Sequence, residues 1–278
     1  MIISVASGKG GTGKTTIATN LALSLEKAQL IDCDVEEPNA NIFLNAKINE
    51  REDISVSIPE IDKTKCNFCG KCSDFCAYNA LAVVPSDVLV FPELCHSCGG
   101  CELVCPLDAV GWHERIVGRI EHGVADGLDF YHGLLNIGEI QAIPVIKALK
   151  RKVDGDKNVI LDAPPGTSCP VIETVGSSDY CILVTEPTPF GLHDLKLAVD
   201  VVRHLHIPFG VIINRDGVGD KKVELYCQNE KIPILMKIPH SEKIAHLYSK
   251  GIPFVNELPD WRSRFQNLFS RIQSEVKA

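Results

Sequence analysis

The sequence predicts an α/β protein: a mostly parallel sheet with helices on both faces, interrupted by a small α+β unit. Two observations carry the first part. Short apolar, β-branched runs at residues 1–6, 29–31, 158–162, 180–185, 209–213 and 234–240 alternate with segments whose apolar residues recur at helical spacing. Several of these runs end at an aspartate, an asparagine or a glycine turn, where open α/β sheets bind ligands. The second part rests on composition: residues 59–111 carry eight of the twelve cysteines.

The first run leads into Ser7-Gly8-Lys9-Gly10-Gly11-Thr12-Gly13-Lys14-Thr15-Thr16, after which helical spacing holds over residues 17–25 without a proline. Strand, glycine-rich turn and helix form the context of a phosphate-binding loop, and Gly8, Gly13, Lys14 and Thr15 complete the Walker A pattern. Glycines let backbone N–H groups turn inward around a polyphosphate, and the helix adds its positive end. Lys14 is expected at the β/γ-phosphates and the Thr15 hydroxyl at Mg²⁺. Lys9, a second lysine just after the first glycine, makes this the deviant form of the motif. On these residues the chain resembles the MinD/ParA-type P-loop ATPases. The resemblance implies a P-loop NTPase sheet, ATP as ligand and substrate, and an ATP-dependent dimer. It also implies that Lys9 reaches across the dimer interface to the partner's nucleotide.

The run at 29–31 enters Asp32-Cys33-Asp34. Residue types alone leave a solvated loop or a ligand site open here. The resemblance implies switch I, with Asp34 orienting the attacking water and Asp32 near the Mg²⁺ shell. Cys33 reads as a small buried residue.

Residues 59–111 read Cys66-x2-Cys69-x2-Cys72-x3-Cys76 and Cys95-x2-Cys98-x2-Cys101-x3-Cys105-Pro106, a repeat with a period of 29 residues. This is the run of two-cluster bacterial ferredoxins, in which the fourth cysteine serves the other cluster. One 4Fe–4S cluster would take Cys66, Cys69, Cys72 and Cys105, and the other Cys95, Cys98, Cys101 and Cys76. Zinc also accepts four thiolates, but two identical runs of this spacing are better explained by iron–sulfur cubes. The first run is followed by Ala77 instead of proline, which weakens a turn preference and not the ligand set. With so little apolar content, the inserted unit is expected to owe its folding to metal.

Residues 116–120 and 133–138 look like short strands or edge hairpins, and residues 142–151 like a helix. The run at 158–162 ends in Asp162-Ala163-Pro164-Pro165-Gly166, the Walker B arrangement that sets a carboxylate beside Mg²⁺. Asp162-x-Pro-x-Gly is also what the resemblance implies for switch II. A helix is expected over 192–204. Asn214, at the end of the 209–213 run, is by residue type a polar turn; the resemblance implies recognition of adenine through its paired donor and acceptor. Pro239 corresponds to the family's backbone contact with the base. Trp261, Phe265, Leu268, Phe269, Ile272 and Val276 form one face of a C-terminal amphipathic helix. Glu257, Asp260 and Glu275 dilute its arginines, so packing on the sheet is expected over a membrane anchor. Cys169, Cys181 and Cys227 read as structural.

The domain organisation is therefore 1–58 and 112–278 for the ATPase and 59–111 for the insert. A net charge of −8 argues against a general nucleic-acid binder. No leader is expected before the first strand, and no apolar run reaches the ~18 residues of a membrane span. The chain is expected in the cytoplasm, with its cysteines in metal or redox work and not in disulfides. Three functions remain: an ATP-gated electron carrier serving a partner metalloprotein, an ATP-dependent cluster-assembly factor, or a positioning ATPase with structural or sensory clusters.

Overall fold

A computed structural model describes residues 1–277 of the chain. In order it contains β1 (Ile2–Ala6), α1 (Lys14–Leu23), β2 (Ala28–Asp32), α2 (Ala40–Leu44), β3 (Lys47–Ile61), α3 (Lys71–Phe75), β4 (Leu81–Val84), β5 (Asp87–Val90), α4 (Gly100–Leu103), β6 (Val110–Ala125) and β7 (Leu128–Leu135). There follow α5 (Ile143–Lys150), β8 (Asn158–Asp162), α6 (Cys169–Val175), β9 (Tyr180–Thr185), α7 (Pro189–His204), β10 (Phe209–Asp216), α8 (Lys222–Asn229), β11 (Ile234–Pro239), α9 (Glu242–Ser249), α10 (Phe254–Glu257) and α11 (Pro259–Lys277).

Nine strands form one sheet in the order β11-β10-β9-β1-β8-β2-β7-β6-β3. Pairing is parallel from β11 to β7, and β6 and β3 then add antiparallel. The central strands are apolar on both faces because helices cover both. Ile3, Leu30, Phe130, Ile160, Tyr180 and Ile212 face α1, α10 and α11. Their neighbours Ile31, Leu161, Cys181, Leu183 and Val211 face α5 to α8. Cys181 and Cys227 are buried in that second layer, and Cys33 is fully buried at the end of β2. Helix α11 buries Trp261, Phe265, Leu268, Phe269 and Ile272 in the first layer. Arg262 and Gln266 tie it to the carbonyls of Leu23 and Ser24 at the end of α1. Its apolar face is thus taken up by the core except at Val276, which is exposed near the end of the helix.

The residues expected as short strands at 116–120 and 133–138 belong to much longer elements. β6 and β7 form a hairpin through Asp126 and Gly127, both at positive φ (49° and 81°), as the favoured two-residue turn requires. β3 and β6 pair from Lys47 opposite Val124 to Ile61 opposite Val110. β7 pairs with β6 only from Gly118 onward, so the distal half of the β3–β6 ribbon projects beyond the sheet. A bulge between Ile54 and Ser55 marks the point of departure. The boundaries expected at 58/59 and 111/112 fall inside these two continuous strands.

The tip of the ribbon belongs to the cysteine-rich unit. Leu81 pairs with Val90 in β4–β5, and the residues offset by 29 positions, Val110 and Ile61, pair in the same way. Residues at positive φ repeat with that offset: Phe68 and Ser97, Gly70 and Gly99, Asn79 and Asp108. The repeat in the cysteines is therefore a repeat in the backbone.

Candidate functional site

The loop between β1 and α1 lines a cleft of about 350 Å³ at the carboxyl ends of the strands. Gly10, Gly11, Gly13, Lys14, Thr15 and Thr16 form its floor, and Asp34, Asn214 and Pro239 its walls. Its size suits a small-molecule ligand. Two glycines are required by geometry. A Cβ on Gly8 would lie 2.0 Å from the Asp194 carbonyl oxygen of α7, and Gly13 has φ +96° with the Asn214 amide 2.4 Å from where its Cβ would be. Asn214 clamps the loop, donating from Nδ2 to the Thr12 carbonyl at 2.8 Å while its Oδ1 accepts from the Arg215 N–H at 3.0 Å.

Behind the loop the end of β2 lies against the end of β8, with Asp32 and Asp162 in register. Both are fully buried. Asp32 accepts N–H bonds from Asp34 at 3.0 Å, Asn39 at 3.1 Å and Ala40 at 3.0 Å. It thereby closes the loop over residues 33–40 and starts α2. Burial nevertheless raises its pKa to about 7, against the pull of those bonds. Asp162 differs: neither of its buried oxygens has a hydrogen-bond partner. Burial first, then the Asp32 charge, pushes its carboxyl well above the ordinary range, while Thr15 and Lys14 oppose the shift. An orphaned carboxylate beside a hydroxyl and an ammonium fits a bound cation. Asp34 sits partly open at the cleft, its pKa raised to about 6 by burial and restrained by Lys14.

Lys9 points away from the cleft floor, 4.0 Å from Glu186, which also holds Arg215 at 2.6 Å. Glu186 was not among the residues singled out from sequence; its position at the exit of β9 was the available signal. Phe43 and Tyr248, with ring centroids 5.4 Å apart, also line the cleft and carry no sequence motif.

The cysteine-rich unit holds two hollows. Cys66, Cys69, Cys72 and Cys105 line one, and Cys76, Cys95, Cys98 and Cys101 line the other. Each hollow is lined by three cysteines of one run and the fourth of the other. Backbone N–H groups of Phe68, Ala80, Ser97 and Ala109 donate to the sulfurs of Cys66, Cys76, Cys95 and Cys105 at 3.3–3.4 Å. Burial raises the Cys72, Cys95 and Cys101 thiols, Cys101 to about 11. A bound metal would offset that burial by taking up the thiolate charge. Among the described residues no three His, Cys, Asp or Glu side chains converge on a single point.

A glycine-rich loop between strand and helix, a lysine and threonine at its end and a buried carboxylate on the adjacent strand define a P-loop nucleotide-binding protein. The chain belongs to the CobQ/CobB/MinD/ParA nucleotide-binding family (CbiA), whose model matches residues 3–254. It is 30% identical over 277 residues to an uncharacterized protein of Methanocaldococcus jannaschii, covering 96% of this chain and 97% of that one. An iron–sulfur cluster carrier protein of Pyrococcus horikoshii is 25% identical over 91% of this chain and 78% of its own. Among solved structures, the septum site-determining protein MinD of Pyrococcus horikoshii with Mg-ADP superposes with a TM-score of 0.61 at 20% identity, covering 100% of this chain and 98% of that one. That likeness bears on the fold.

Proposed function

We propose that the chain binds and hydrolyses ATP as a nucleotide-dependent dimer, holds two 4Fe–4S clusters in residues 59–111, and uses ATP to control electron delivery to a partner metalloprotein. The observation that carries this reading is the pair of four-thiol hollows in one chain with a P-loop cleft. Cys66, Cys69, Cys72 and Cys105 would hold one cube, and Cys95, Cys98, Cys101 and Cys76 the other. Thiols spread round a hollow suit a multi-iron cube better than a single zinc, which needs them at ~2.3 Å from one point. Four thiolates complete each cube, which favours resident clusters. Bound there, the cubes supply one-electron transfer at potentials tuned by the N–H···S bonds. The exposed Phe75, Tyr78 and Leu103 give a partner an apolar surface beside them.

At the cleft, Lys14 would neutralise the β/γ-phosphates, and Thr15 and Asp162 would hold Mg²⁺ with Asp32 behind them. Asp34 would orient the attacking water. Asn214 retains one amide hydrogen and one lone pair for the base, beside the Pro239 backbone. Lys9 would leave Glu186 to meet the partner's phosphates.

A second reading is favoured by the relatives named iron–sulfur cluster carrier proteins: ATP would drive loading and hand-over of a cluster. Anaerobic purification with iron and sulfide counts, followed by EPR during ATP turnover, decides. Iron retained through turnover supports the electron carrier, whereas iron passed to an apo-acceptor supports the carrier. Stoichiometric zinc without sulfide would sink both.

A further inference from the structure

The cysteine-rich unit touches the ATPase part asymmetrically. Among the described residues, one hydrogen bond joins residues 62–109 to anything outside the β3–β6 ribbon: Gln141 donates from Nε2 to the Cys95 carbonyl at 2.7 Å. Cys66, the repeat counterpart of Cys95, receives no such bond.

Gln141 lies in the segment 136–142, which leads from β7 into α5 and makes several further contacts along its length. At its start, the Leu135 N–H donates to the Val35 carbonyl at 2.8 Å, and Val35 directly follows Asp34. Val35 also packs onto β7, where a Cβ on Gly133 would come within 2.6 Å of it. In its middle, Glu139 forms a paired bond with Arg115 of β6 at 2.7 and 3.1 Å, largely out of solvent. Asn136 bonds the backbone of Ile116 and Val117 at 3.0 and 2.9 Å, at the bulge where the ribbon leaves the sheet. At its end, Ala142 walls a cavity of about 170 Å³ whose other walls include Asp34 and Val35 on one side and Pro164 and Pro165 on the other. The segment therefore spans from the two loops that line the cleft at Asp34 and Pro165 to the Cys95 loop of one hollow.

We propose that residues 136–142 are a coupling strap that reports the nucleotide state of the 33–37 loop to the Cys95 hollow and not to the Cys66 hollow, with Gln141 as the positioning residue. The proposal rests on the functional reading above for what the hollows hold, but not for the coupling itself. Loops that contact γ-phosphate and Mg²⁺ order on binding and release on hydrolysis. A shift of Val35 is passed to Leu135 by a backbone bond and from there, along a short segment held at Glu139, to the Cys95 carbonyl. One peptide beyond that carbonyl, the Ser97 N–H bonds the Cys95 sulfur at 3.4 Å. The strap thus acts on the hydrogen bonding of one cysteine site.

The test is hydrogen exchange of the full-length, anaerobically purified protein, with its iron and sulfide counted, in Mg-ADP and in Mg with a non-hydrolysable ATP analogue. Exchange of residues 136–142 and 95–98 is expected to differ by a factor of about 5 or more between the two nucleotides, with residues 66–69 unchanged. In Gln141→Leu the difference should persist at 136–142 and vanish at 95–98; Glu139→Gln should weaken it at both. A nucleotide response equal at 66–69 and 95–98, or one at 95–98 that survives Gln141→Leu, overturns the strap. So does no response in iron-loaded protein that binds both nucleotides. The asymmetric response in protein lacking iron supports the strap and overturns the cluster reading instead.

Discussion

Asp32 and Asp162 are register partners on adjacent parallel strands, both fully buried, and only Asp32 has hydrogen-bond donors. Their substitutions should therefore differ in sign. Asp32→Ala leaves three backbone N–H groups unpaired and should cost roughly 2–4 kcal/mol, with the 33–40 loop released. Asp162→Asn replaces a buried carboxyl that no donor satisfies, so the nucleotide-free protein should be as stable as the parent or more so by about 1–2 kcal/mol. Its Mg²⁺-dependent gain on nucleotide binding should shrink. Thermal melts with and without Mg-ADP check both, and a strongly destabilised nucleotide-free Asp162→Asn would contradict the orphaned carboxylate.

The same pair sets a pH dependence. A carboxyl whose pKa is higher folded than unfolded binds its proton more tightly in the folded state, so the stability it contributes is full below the unfolded pKa. It is lost as pH rises through the folded value, here about 7 for Asp32. Between about pH 4 and pH 7 the nucleotide-free protein should melt at steadily lower temperature. Asp162→Asn should flatten that slope. A melting temperature that rises across the same range would refute the assignment.

Lys14 and Lys9 should separate binding from assembly. Lys14 is buried at the cleft floor, whereas Lys9 lies outside it against Glu186. Lys14→Ala should abolish nucleotide binding measured by calorimetry. Lys9→Ala should bind nucleotide nearly as well but lose ATP-dependent dimerisation and hydrolysis. Asp34→Ala should bind ATP and accumulate as the dimer. Light scattering in ATP and ADP reads both, and dimerisation unaffected by Lys9→Ala would disprove the role of that lysine.

Two glycines of the same loop should respond differently. Gly8→Ala would drive a methyl into the Asp194 carbonyl, which is backbone and cannot yield cheaply. It should cost about 1–3 kcal/mol and displace the loop. Gly10→Ala meets nothing nearer than Pro165 at 3.9 Å and should be close to neutral for stability. Equal melting temperatures for the two variants would be inconsistent with this packing.

The crossed thiol fours predict a pattern of non-additivity. Cys76→Ser and Cys98→Ser strike the same hollow, so the double variant should lose no more iron than either single one. Cys76→Ser combined with Cys72→Ser strikes both hollows and should lose nearly all of it. Iron counts and EPR on anaerobic protein decide; iron loss that follows the linear cysteine runs would reverse the pairing.

The parts of the chain legible from sequence are those whose signal is local. Gly8 to Thr16, the apolar runs ending at Asp32 and Asp162, and the cysteine spacing each carry their geometry within a few residues. The β3–β6 ribbon does not. Asn49-Glu50-Arg51-Glu52-Asp53 is charged at every position but one and lacks alternation, yet it is strand because it pairs antiparallel with β6 at the solvated edge of the sheet. Gln141 was invisible for a related reason: its partner, the Cys95 carbonyl, lies 46 positions away and is a backbone group that no residue type marks.

The continuity of β3 and β6 across the base of the cysteine-rich unit also limits how that unit can travel. Fifteen residues of strand at ~3.4 Å each make a beam of roughly 50 Å, hydrogen-bonded along its length and rooted at the sheet edge. A unit on two loose tethers could swing to find a target. One at the end of a cantilever is aimed by its root and reorients only as the whole subunit turns. Any approach of the thiol hollows to another protein is therefore a rigid-body docking of the entire chain, and the angle between subunits in an assembly would decide which targets the tip can reach.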